Sequence, residues 1–147
     1  MREKVHRMKA KKHNYIKRHD YRAAYEEMKA NRIPFDFDSI STYFKKNDAV
    51  SMYRFLMYAI SREETAQLHL AICYYLYFMN PRITDNDSLI KWHLVRAFDI
   101  SHDEDVLNNW IFGIYSGNPD CPFSDEELDY YRTFLPDKKV CDRTRRN

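Results

Sequence analysis

Apolar residues recur at intervals of three and four along most of this chain, and helix caps and prolines separate the stretches that carry them. The first stretch holds Val5, Met8, Tyr15, Ile16, Ala23, Ala24, Tyr25 and Met28. Its opening third is nearly all polar. The pattern therefore predicts a basic, frayed segment over residues 1–14 and a packed helix from near Tyr15. Ile33-Pro34 ends that helix, because the residue before a proline disfavours helical backbone. A short helix around residues 39–46 follows, capped by Asp38, with Ile40, Tyr43 and Phe44 inward. Asp48 caps a stronger helix over 49–60, whose core face uses Tyr53, Leu56, Met57 and Ile60.

Three Ser-x-x-Glu patterns read as capping boxes, in which a serine oxygen and a glutamate satisfy each other's backbone amides. Ser61 with Glu64 opens a helix from Arg62 to about Met79, stopped by Asn80-Pro81. Asp85 or Asp87 caps the next, to about Phe98, with Leu89, Trp92, Val95 and Phe98 on its stripe. Ser101 with Glu104 opens a helix to about Tyr115, with Val106, Leu107, Trp110, Ile111 and Ile114 inward. Gly117 ends it, ahead of Asn118-Pro119. Ser124 with Glu127 opens the last helix, to Leu135 before Pro136. Residues 48–86 and 87–123 repeat the order cap, helix, box, helix and Asn-Pro stop. That is the size of a HEAT-type unit, with 15–46 and 124–135 as the ends of a stack. The expected fold is all-α. It is a single-domain helical bundle, or a short HEAT-like stack of hairpins, of six to seven helices. The basic segment 1–14 precedes the domain 15–136, and a basic flexible tail, 137–147, follows it.

Composition supports this reading. Only two of the 147 residues are glycine, which leaves no phosphate-cradling loop and too few tight turns for a sandwich or barrel. Apolar residues make up 44%, so the chain can bury a core. Cys73, Cys121 and Cys141 are odd in number and form no CxxC pair, so no disulfide framework is expected and a cytoplasmic location is the default. No signal peptide is visible, and the strictly apolar run from Leu70 to Met79 is too short to span a bilayer. No membrane partner is expected.

Charge is segregated. Residues 1–32 hold 11 Lys and Arg against 4 Asp and Glu, residues 101–137 hold 1 against 9, and residues 138–147 hold 5 against 1. Such a layout shapes the choice of partner. Lys9, Lys11, Lys12, Lys17, Arg18 and Arg22 interleave with His13, Tyr15, His19 and Tyr21. Residues 1–22 could therefore hold nucleic acid, cations on phosphates and rings on bases. No helix-turn-helix, zinc-finger or RNP signature accompanies them, and a solvated basic helix explains them as well. At the other end Asp103, Glu104, Asp105, Asp120, Asp125, Glu126, Glu127 and Asp129 lie within 27 positions that contain no Lys or Arg. Helix starts favour one or two acids each, and eight exceed that. With Tyr115, Phe123, Tyr130 and Tyr131 as aromatic anchors, this segment is the candidate surface for a basic protein.

Signs of catalysis are few. No HExxH, EF-hand loop or GxSxG occurs, Asp85-Asn86-Asp87 suits a helix cap, and no metal or cofactor is expected. Arg62 and His69, with six residues between them, resemble the short Arg-His motif of the HEPN ribonucleases, small all-α enzymes that cut RNA with its own 2′-hydroxyl. Arg7 and His13, with five residues between them, fit that motif's spacing of four to six too, and a core histidine explains His69.

A second resemblance is carried by Leu70-Ala71-Ile72-Cys73-Tyr74-Tyr75, Asn80-Pro81, Ile90-Lys91-Trp92-His93-Leu94 and Tyr115-Ser116-Gly117-Asn118-Pro119. Over residues 48–135 the chain resembles small helical immunity proteins of bacterial toxin systems, including contact-dependent growth inhibition. The resemblance implies a cytosolic, non-enzymatic protein that binds one cognate toxin domain with a basic surface and blocks it. It assigns no residue a role. The expected function is thus toxin inhibition by occlusion through Asp103, Glu104, Asp105, Tyr115, Asp120, Phe123, Asp125, Glu126, Asp129, Tyr130 and Tyr131. The alternative is a small RNA- or DNA-binding protein using its basic N-terminus, with ribonuclease activity as a variant.

Overall fold

The computed structural model describes residues 15–45, 47–79 and 84–136. The basic segment 1–14, the Asn80-Pro81 stop and the tail 137–147 lie outside the described residues, as does Cys141. The described residues form helices joined by short turns, with no strand among them. After a helical turn at residues 15–17 come α1 (Tyr21–Ala30), α2 (Phe37–Tyr43), α3 (Ala49–Arg62), α4 (Ala66–Phe78), α5 (Asn86–Ser101) and the single turn α6 (Glu104–Val106). A π-helix (Leu107–Ile114) continues α6, and α7 (Asp125–Arg132) is last.

α4 is the centre of the molecule. Leu68, His69, Ala71, Ile72, Cys73, Tyr75 and Leu76 are all buried, so the helix is enclosed on most of its circumference. It packs most extensively against α5 and then against α3, while α1 covers α3 and α2 covers α4. The pairs α3–α4 and α5–α6 follow the helix order of the two repeat units, though the capping boxes that defined the repeat do not form. Ile16, Met28, Ile40, Phe44, Phe55 and Leu56 extend the core toward the N-terminal side, and Leu107, Ile111 and Tyr115 extend it toward the C-terminal side.

Several boundaries differ from the expectation. The Asp48 cap forms, its carboxylate accepting from the Ser51 amide at 2.8 Å, and the Ser124–Glu127 box forms with both bonds present. Asp36, not Asp38, caps α2. The other two boxes do not form, because α3 and α5 run on through the serines. Ser61 Oγ donates to the Tyr58 carbonyl at 2.6 Å and Ser101 Oγ to the Ala97 carbonyl at 2.8 Å. Each hydroxyl thus donates within its own helix, Ser101 Oγ also accepting from the Asp103 amide at 3.2 Å, and Thr65 and Asp103 cap the next helices instead. Asp85 takes the cap position of α5 in left-handed backbone, at φ 57°, without a side-chain cap bond.

The stripe of α5 keeps Phe98 but is otherwise displaced. Ile90, His93, Leu94, Ala97 and Phe98 face inward, Leu89 and Val95 are half-buried, and Trp92 is 55% exposed. An apolar-only stripe passes over His93, which the structure buries. On α3, Met52, Phe55, Leu56 and Ala59 are buried, whereas Tyr53, Met57 and Ile60 lie at the rim. Leu70 is likewise half-buried.

The stretch expected to be an α-helix up to Tyr115 is π-helical from Leu107. Its wider turn is closed by the Tyr115 amide donating to the Trp110 carbonyl at 3.2 Å, five residues back. The extra residue per turn brings Tyr115 onto the buried face with Val106 and Trp110, and Ile114 moves to the rim. Gly113 makes this coil feasible: a Cβ there would lie 2.6 Å from the Asn108 carbonyl oxygen. Gly117, at φ +71°, turns the chain after the coil in left-handed backbone, as expected for a residue without Cβ.

Candidate functional site

α7 returns across the end of α5. The Phe98 ring meets Tyr131 at 5.7 Å, Phe134 at 5.1 Å and His102 at 5.6 Å. Arg132 sits 5.4 Å over the Phe112 ring, and Lys91 bonds Glu127 at 2.7 Å. These contacts bring α5, the π-helix and α7 into one region. Asp103, Glu104, Asp105, Asp120, Asp125, Glu126 and Asp129 are all exposed. Asp103 is partly spent as a cap, accepting from the Asp105 amide at 2.9 Å, and Asp129 pairs with Arg132. Glu127 is held below the usual carboxylate range by its bond from Lys91 and by the Ser124 amide of the capping box.

The aromatic half of the expected surface needs correction. Tyr115 is 1% exposed, Phe123 5% and Tyr131 6%, so these rings are core. They pack edge to face in series, Tyr115 on Phe123 at 6.4 Å and Phe123 on Tyr131 at 5.9 Å. Burial pushes the Tyr115 hydroxyl far above its ordinary pKa, and that oxygen has no hydrogen-bond partner. Of the four proposed anchors only Tyr130 is exposed, at 59%. Beside it lies Phe134, at 5.2 Å and itself exposed, and Ile100 at the end of α5 is exposed as well. Phe134 and Ile100 escaped sequence reasoning because exposure of an apolar side chain leaves no mark in a periodic pattern.

A second cluster runs from the seam between α4 and α5 to the surface: His69 and His93 are buried, whereas Glu64 and Arg96 are exposed. His69 Nε2 is 2.9 Å from Glu64 Oε1, and its Nδ1 is 2.8 Å from His93 Nδ1. Arg96 closes the far side of Glu64 with two bonds, at 2.6 and 2.9 Å. Those Arg96 bonds, together with the His69 bond, bring the Glu64 carboxyl down to about 2. An ionised Glu64 only accepts, so His69 Nε2 carries hydrogen. A neutral His69 then accepts at Nδ1 from His93 Nδ1–H, a tautomer assignment that follows from the network. Burial lowers both imidazoles, His93 to about 3 with help from His69, whereas the Glu64 bond opposes the shift of His69.

His69 is 0% exposed and both its nitrogens are engaged, so it presents nothing to an RNA hydroxyl. Arg62 ends α3 on the exposed surface, and the guanidinium in this cluster is that of Arg96. Burial also raises the Cys73 thiol well above its ordinary value. No group of three or more His, Cys, Asp or Glu among the described residues is placed to hold a metal ion, and no helix among them is long and apolar enough to cross a membrane. Lys17, Arg18 and Arg22, the described part of the basic N-terminal stretch, are exposed, while Ile16 among them is buried. Compared with protein-family models, with curated proteins and with solved structures, the chain matches none.

Proposed function

We propose that this protein is an immunity-type inhibitor that binds a cognate bacterial toxin domain and blocks it by occlusion. The observation that carries the reading is the exposed Tyr130–Phe134 pair, seated on Phe98 through Phe134 and carried on α7 beside its exposed carboxylates Asp125, Glu126 and Asp129. Carboxylates at the rim steer a basic partner to the face, and aromatic rings lose water once it docks. The bound domain then cannot admit its own substrate. No bond is made or broken by this chain.

The test pairs the chain with a toxin domain encoded in the adjoining reading frame. Co-expression should restore growth, and the purified proteins should form a complex. Asp105→Lys with Glu126→Lys spares the capping groups Asp103, Ser124 and Glu127. It should slow association about ten-fold and flatten its salt dependence. Tyr130→Ala should speed dissociation, with a loss of about 2 kcal/mol or more. Unchanged association and dissociation in both variants would place the interface elsewhere, and an unprotected host would end the reading.

A further inference from the structure

Between the start of α2 and the outer side of α4 runs an open groove of about 320 Å³, lined by Asp36, Phe37, Asp38, Gln67, Leu70 and Tyr74. Its wall is aromatic and fixed. Phe37 stacks on Tyr74 at 4.8 Å and 23°, and the edge of Tyr75 holds Phe37 from another side at 5.1 Å. Leu70 adds a half-buried aliphatic surface. Two carboxylates stand at one end. Asp36 accepts from the Ser39 amide at 2.8 Å and from Ser39 Oγ at 3.0 Å, so its position is set by the helix start it caps. Asp38 is exposed, and among the described residues neither carboxylate is in an ion pair.

This combination selects a ligand chemistry. An anion would be repelled, and a neutral apolar group would leave the Asp38 carboxylate uncompensated as it displaced its water. A hydrated metal ion has no use for the rings and leucine. An arginine side chain meets both demands. Its methylene stem lies along apolar surface, and its weakly hydrated, planar guanidinium forks onto a carboxylate and tolerates contact with aromatic rings. We infer that the groove between α2 and α4 binds an arginine side chain presented by a partner polypeptide. It shares no residue with the acidic face of α6 and α7 and stands whether or not that face binds a toxin.

The experiment titrates the full, isotope-labelled chain with acetyl-Gly-Arg-Gly-amide and follows backbone amide resonances. Saturable shifts are expected at Phe37, Asp38, Gln67 and Tyr74. The citrulline peptide, matched in shape but uncharged, should bind at least about five-fold more weakly, as should the Arg peptide to Asp38→Asn, for loss of one charge-assisted bond. Gln67→Trp, at an exposed lining position, should fill the groove and abolish the shifts without lowering Tm. Absence of saturable shifts would overturn the inference. So would equal binding of the citrulline peptide, or shifts confined to residues 103–105 and 125–130. Equal binding of the matching lysine peptide would overturn the choice of arginine.

Discussion

The seam between α4 and α5 and the C-terminal end formed by α6 and α7 both carry ionisable groups, and they treat them in opposite ways. At the seam every charge is answered: Arg96 neutralises Glu64, Glu64 orients His69, and His69 receives the His93 hydrogen. At the C-terminal end Glu104, Asp105, Asp120, Asp125 and Glu126 face water with no cation in an ion pair with them among the described residues. Burial forces the matching of His69 and His93, since an unpaired hydrogen-bonding group out of water costs free energy that the fold must recover, and the exposed Glu64–Arg96 pair completes the set at the edge of the seam. Exposure removes that demand. Matched groups therefore report on how the protein holds together, and unmatched ones are available to something outside it.

The sharpest way to break this contrast is to attack the inner side. Trp110→Ala, at a residue that is 3% exposed and packed on Tyr74 at 5.0 Å, should destabilise by about 3–5 kcal/mol in denaturant titration. Glu64→Ala strands the His69 N–H inside the seam and should cost about 1–3 kcal/mol. A loss as small as that of a surface substitution would mean the network is ornamental. Acid should act on the same place. Both imidazoles titrate lower in the fold than the ordinary 6.5, so below that pH the unfolded chain takes up protons that the fold refuses. Stability should fall from pH 6.5 toward about 3, and the depressed Glu64 carboxyl adds a further loss from 4.5 toward about 2. Tm measured across this range should drop less steeply in His93→Gln than in the natural chain. The smallest effect belongs to Tyr115→Phe. It removes a buried hydroxyl that has no partner, and should leave stability within about 0.5 kcal/mol or raise it.

Much of the helical layout was legible, because caps and breaks are local. Asp48 and Ser124 sit where the pattern places them, and Leu56, Trp110 and Ile111 are buried as expected. Serines 61 and 101 misled because the same residue type that caps a helix can also bond back to a carbonyl within one. The π-helix was invisible to a reading at 3.6 residues per turn, although Gly113 marks it in retrospect. Exposure of the acidic residues was legible from charge alone. Which ring of Tyr130-Tyr131 faces outward was not, since it depends on Phe98, 33 residues before Tyr131, and Phe123, 8 before it, taking one ring and leaving the other. The His69–His93 contact spans 24 positions and has no spacing rule that announces it.

The displaced stripe of α5 gives the chain two tryptophans in two different solvents. Trp110 emits from inside the core, whereas Trp92 stands in water with its ring 4.9 Å from His93 and 5.7 Å from His69. An aqueous quencher such as acrylamide reaches the second and spares the first. The molecule thus contains an optical gauge at each of its two characters: the red-shifted component follows the surface beside the histidine pair, and the blue-shifted one follows the packing around the π-helix.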